Sequence, residues 1–207
     1  MRLDDPLNDT FASASHVRLL RALFSLPSDM GASGRDLARR AGVSHPRANQ
    51  VLAGLAEQGV VAVQRLPRTD LYRVNGHHAL AESLRKLFDL EPRLRFQLLA
   101  LVAGELKGRR LPVKEARIFG SAARGEMKPT SDVDLALVTS RENVAGVEAA
   151  AQEIAEKARE RFGTRLNVLV GSPSLGRLSK SRQTRQGAWQ AIEREGIDVF
   201  AAPHATG

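Results

Sequence analysis

Ile118-Phe119-Gly120-Ser121-Ala122-Ala123-Arg124-Gly125, followed shortly by Ser131-Asp132-Val133-Asp134-Leu135, is the stretch that decides how this chain is read. Val113 to Phe119 has the pattern of a strand, and Gly120-Ser121 is the turn that starts a helix. The first N–H groups of a helix lack intrahelical acceptors and attract phosphate oxygens, and a serine hydroxyl there adds a donor. Gly120 lets the backbone approach a ligand closely, and Arg124 offers a charge-assisted contact to the same phosphates.

The second part of the stretch supplies carboxylates. Val133 to Val138 reads as a strand, whose side chains alternate faces. Asp132 and Asp134 therefore point one way, and Val133, Leu135 and Leu137 point to the core. Two converging carboxylates repel unless a cation sits between them. Hard oxygen ligands suit Mg2+, which completes its shell with water and substrate phosphates. Together the turn and the aspartates form an arrangement for a nucleoside triphosphate and its magnesium. Ala145 to Phe162 reads as an alanine-rich helix between strands, its charged residues forming a solvated face.

These motifs carry a resemblance. Residues 113–138 resemble the nucleotidyltransferase superfamily of DNA polymerase beta, in particular its small minimal nucleotidyltransferase branch. The likeness continues weakly to about residue 200, where Ile192-Glu193-Arg194-Glu195-Gly196-Ile197 looks like the family's closing helix and turn. The resemblance implies that Ser121 binds the triphosphate and that Asp132 and Asp134 are catalytic and ligate magnesium. It also implies a third carboxylate on a later strand. Here that strand is Arg165 to Val170, and its central polar residue is Asn167, a neutral amide that cannot act as a general base. Asp198 either substitutes for it or is an exposed edge residue. Minimal nucleotidyltransferases often act as antitoxins that modify a partner toxin with AMP, so a partner toxin belongs among the expected ligands.

The chain has 207 residues, no cysteine and a formal net charge of +8. The length suits one large or two small domains, and the missing cysteines exclude disulfides and thiolate metal sites. The N-terminal residues, with Asp4, Asp5 and Asp9, have no apolar signal core, and no run is long enough to span a bilayer. A cytoplasmic protein without membrane contact is expected. Positive charge clusters at Arg35, Arg39, Arg40, Arg47, Arg65 and Arg68, and again at Arg177, Lys180, Arg182 and Arg185.

The first cluster falls on a helix-turn-helix pattern. His16 to Leu26 has the apolar spacing of an amphipathic helix; Ser33 caps a second helix, Gly34 to Ala41; and Ser44 caps a third, with Pro46 in its first turn. His45, Arg47, Asn49 and Gln50 lie near the exposed start of that third helix, where a recognition helix contacts base edges. Gly59 to Leu66 and Leu71 to Asn75 read as two strands joined by Pro67-Arg68-Thr69-Asp70, a wing whose Arg65 and Arg68 reach phosphates or the minor groove. Residues 15–75 resemble the winged-helix domains of small bacterial transcription regulators, which implies binding to double-stranded DNA, commonly as a homodimer on a palindrome.

His77-His78 reads as a surface pair without a metal role, and Trp189 and Phe200 as core anchors. The expected architecture is α/β (α+β): a winged helix-turn-helix over 1–76, a helical connector over 77–110 broken at Glu91-Pro92, and a small nucleotidyltransferase-like domain with a mixed sheet over 111–207. Three readings of function stand at this point. One is a magnesium-dependent nucleotidyltransferase acting on a hydroxyl. The second is a DNA-binding regulator whose transferase domain is a weakened nucleotide sensor. The third is an antitoxin-type transferase.

Overall fold

The computed structural model describes residues 7, 10–127, 131–172 and 192–201. The basic run Arg177 to Arg185 and Trp189 lie outside the described residues. The chain forms two compact units, Met1–Glu91 and Pro92–Gly207. No helix among the described residues is long and apolar enough to cross a membrane.

The first unit begins with α1 (Ala14–Phe24), β1 (Ala32–Ser33), α2 (Gly34–Ala41) and α3 (His45–Glu57). The Ser33 hydroxyl caps α2 by accepting the Asp36 N–H at 3.1 Å, and Gly42 ends the helix at φ 62, a conformation that favours glycine. Ser44 sits at the cap position of α3 with extended backbone, but its side chain makes no capping bond. Pro46 explains this difference: it has no N–H, so one of the two amides a cap would serve is missing. Leu19, Leu20, Leu37, Leu52 and Leu55 are fully buried and knit the three helices together.

A sheet in the order β1–β3–β2 follows, with β2 (Val61–Arg65) and β3 (Asp70–Val74) antiparallel and β1 added along β3. Then comes α4 (Ala81–Leu90), whose Leu84 and Phe88 join the same core; Phe88 stacks on Phe24 with ring centres 5.3 Å apart. Arg21 closes this unit with a forked ion pair to Glu91 at 2.5 and 2.8 Å.

The second unit opens with α5 (Leu94–Gly108), continuing through β4 (Val113–Phe119), α6 (Ser121–Arg124), β5 (Val133–Thr139), α7 (Val144–Phe162), β6 (Leu166–Gly171) and β7 (Ile197–Asp198). The stretch 77–110, read from sequence as a connector, is thus divided: α4 buries its apolar side in the first core, whereas Leu98, Leu99, Val102 and Leu106 of α5 belong to the second. The break at Glu91-Pro92 is where one amphipathic stripe ends and another begins.

The sheet of this unit is mixed, in the order β6–β5–β4–β7, with the β5–β6 pair parallel and the other pairs among the described residues antiparallel. Its parallel step is bridged by α7, the crossover that a parallel pair requires. Alternation assigns the two faces. Ala116, Ile118, Val133, Leu135 and Leu137 form a buried cluster with α5 and with Val147, Ala151, Ile154 and Ala158 of α7. Phe119, Asp134 and Asn167 share one register row on the opposite face. Phe200 is partly buried against the core, and Lys107 Nζ lies 5.6 Å above its ring.

Candidate functional site

Asp134 is the centre of the candidate site in the second unit. It is half-buried on β5, between Phe119 of β4 and Asn167 of β6. Asp132 is exposed and lies just before the strand begins. β4 ends at Phe119, and the chain turns at Gly120 with φ 70 and ψ −148 into α6. A side chain at Gly120 would meet steric refusal from two causes at once. The backbone angle is one that L-residues rarely adopt, and a Cβ would sit 2.7 Å from Asp134 Oδ2. The glycine is therefore what brings the start of α6 against the carboxylate. Gly120→Ala is expected to lower the unfolding free energy by about 2 kcal/mol or more in urea titration, and to displace Asp134.

Asn167 donates its amide N–H to Asp134 Oδ1 at 3.0 Å. Asn167, the residue expected at the third-carboxylate position, thus contacts the aspartate directly, as a neutral donor. Asp198 lies elsewhere in the sheet: it pairs in register with Arg117, is exposed, and accepts the Phe200 N–H at 2.8 Å. Among the described residues no group of three acidic, histidine or cysteine side chains is arranged to hold a metal ion. Of the two aspartates, Asp134 lies against Gly120, and Asp132 is exposed just before β5.

Arg124 is already engaged. It donates to Glu126 and to Glu195, each at 2.8 Å. Arg194 first, and Arg124 second, hold the Glu195 carboxyl below the ordinary carboxylate range. Glu126 is a local partner two residues on, whereas Glu195 reaches Arg124 only because the chain folds back. Arg95 of α5 donates to the Ala122 carbonyl in the same turn. Sequence spacing gives no hint of it.

In the first unit the six residues expected to meet DNA separate into groups. His45, Asn49 and Arg68 line a polar cleft of about 380 Å³ together with Arg35, Thr69 and Tyr72. Asn49 lies close over the start of α2, since a Cβ on Gly34 would come within 2.5 Å of its Oδ1. Arg47 and Gln50 point to another side. Arg47 donates to Gln50 Oε1 at 2.8 Å and to Ser13 Oγ at 3.1 Å. Burial, and then the Arg47 charge, lower the His16 pKa from the ordinary histidine value. Arg65 is exposed at the end of β2, opposite Asp70. His78 is half-buried, its Nδ1 accepting the Leu80 N–H at 3.2 Å, and His77 is exposed.

Residues 101–173 match the family model of the nucleotidyltransferase domain. The matched span runs from α5 through β6 and contains the turn, both aspartates and Asn167. The match falls within the second unit and covers about a third of the chain. No curated protein matches the sequence. Solved structures that are distantly similar include the following two. One is a toxin–antitoxin crystal structure with AMP-PNP, at 14% identity over 49% of this chain and 71% of that one, with a TM-score of 0.34. The other is TrmBL2, an archaeal chromatin protein described with a novel mode of DNA binding. It shares 16% identity over 87% of this chain and 69% of that one, with a TM-score of 0.28. At these values neither likeness bears on fold or function.

Proposed function

We propose that the second unit is a magnesium-dependent nucleotidyltransferase, and that the first is a winged helix that binds double-stranded DNA. The transferase would move a nucleoside monophosphate from a nucleoside triphosphate to a hydroxyl. The observation that carries this reading is the junction of Gly120 with Asp134, where a position fit only for glycine sets the start of α6 against a carboxylate. Ser121 and the first N–H groups of α6 hold phosphate oxygens in this scheme. Arg124 joins them only by leaving Glu126 and Glu195.

Asp132 and Asp134 suit magnesium, because that ion takes one or two carboxylates and fills its shell with water and phosphate oxygens. When bound, it neutralises charge on the phosphates. In the transfer, the acceptor oxygen bonds to the α-phosphorus while the bridge to the β-phosphate breaks and pyrophosphate leaves. The hydroxyl proton passes to solvent, since the Asn167 amide accepts none. A hydroxyl on a partner toxin is the acceptor class that the minimal-nucleotidyltransferase resemblance suggests. Incubation with α-labelled triphosphates, with partner protein or DNA as acceptor, tests the transfer. Label is expected on one acceptor with magnesium and absent with chelator; no label on any acceptor would contradict it.

Asn167 favours a second reading, in which nucleotide is bound but transferred slowly or not at all and the protein is a nucleotide-responsive regulator. Pyrophosphate release separates the two, because a sensor binds without releasing it.

For DNA binding, the support is the cleft that gathers His45, Asn49, Arg35 and Arg68 beside the tip of the β2–β3 hairpin. Each arginine that neutralises a phosphate adds about 0.9 to the slope of log affinity against log salt. Arg35→Ala with Arg68→Ala is expected to flatten that slope by roughly two in a fluorescence-anisotropy titration. An unchanged slope would reject this cleft as the DNA surface.

A further inference from the structure

The carbonyls of α6 lead to a residue outside the motif. This helix has four residues, too few to satisfy its own last carbonyls. Gly120 O accepts the Ala123 and Arg124 N–H groups at 3.1 and 3.2 Å. Gly125, at φ 75, then turns the chain back, so both its own N–H and that of Glu126 go to Ser121 O. In a longer α-helix the Glu126 N–H would reach Ala122 O instead. Ala122 is only 4% exposed, so water is a poor substitute, and a buried carbonyl left without a donor is costly. The guanidinium of Arg95 supplies the bond from α5. It lies against the turn itself, with Nη2 3.8 Å from where a Cβ on Gly125 would be.

We infer that Arg95 is a positioning residue for nucleotide binding: it ties the Gly120–Gly125 turn to α5 and so fixes the amides and the Ser121 hydroxyl that face the phosphates. The inference rests on the nucleotide-binding reading of this turn. It also separates the roles of two arginines near the site. Arg124 is held by two carboxylates, whereas Arg95 holds the backbone that the ligand would touch.

The test uses the full chain, as the wild type and as Arg95→Met, Arg95→Lys and Arg109→Met. Arg109 is a control at the C-terminal cap of the same helix, where it pairs with Glu105 at 3.1 Å and Glu153 at 2.5 Å. Each protein is titrated with non-hydrolysable triphosphate analogues and magnesium, and hydrogen exchange is followed in the peptide covering residues 119–127. Arg95→Met is expected to weaken binding about tenfold, equivalent to about 1.4 kcal/mol, and to speed exchange in that peptide. Arg95→Lys is expected to recover most of the affinity, and Arg109→Met to lose none. Wild-type affinity in Arg95→Met, or an equal loss in Arg109→Met, overturns the positioning role alone. Absence of binding by the wild type defeats the nucleotide reading and this inference with it.

Discussion

Replacing Asp132 and Asp134 together by asparagine is expected to abolish magnesium-dependent nucleotide binding and to reduce any transfer by at least 10²-fold, about the effect of removing one strong electrostatic contact to a transition state. The geometry gives the reason. Asp134 sits where Gly120 brings the start of α6 to the sheet, and Asp132 is the exposed carboxylate two residues before it, just outside the strand. Asparagine keeps the shape and removes the charge, so the fold should survive. Asp134→Asn alone also changes the contact with Asn167, which then faces an amide in place of a carboxylate. Calorimetric titration with and without magnesium, beside a thermal melt, measures both effects. Equal magnesium dependence in wild type and double variant would remove these aspartates from the site.

Asn167→Asp has the second large expected effect, and its sign depends on the ion. Asn167 Nδ2 is 3.0 Å from Asp134 Oδ1, so the substitution replaces a hydrogen bond with two facing carboxylates. Without a cation they repel and one of them holds its proton more tightly. The variant should therefore melt lower than wild type in chelator, and the difference should shrink as pH falls and the carboxylates protonate. With magnesium the third carboxylate adds a ligand, so the ion should stabilise the variant more than the wild type. Pyrophosphate release should rise by 10²-fold or more, because the second anionic anchor of a two-metal displacement is restored. A variant that melts alike with chelator and with magnesium would show that Asn167 does not stand at a metal position.

The strands of the second unit were legible because alternation is a local signal. Val113–Phe119 matches the strand read from sequence, β5 runs one residue further than its reading, and β6 is shifted by one residue at both ends. Val133, Leu135 and Leu137 are buried as their spacing requires. Ser33 and Gly42 were equally plain, as both ends of α2 are marked by residues that act on neighbouring backbone. What sequence did not reveal is set by distant contacts. The proximity of Asn167 to Asp134 follows from parallel register, and Arg95 meets Ala122 through a fold-back across β4. Nor did sequence show that Arg47 bonds to Gln50 and Ser13, or that Arg35 lines the cleft with Arg68. The connector misled for a related reason: its two helices look alike as stripes, and only the cores show that Phe88 and Leu98 belong to different units.

The most direct test of the central claim is calorimetric titration of the full chain with each nucleoside triphosphate, with and without magnesium. Saturable binding of at least one triphosphate that tightens with magnesium is the predicted result. No binding of any triphosphate under either condition would contradict the assignment of the Gly120–Asp134 junction as a nucleotide site.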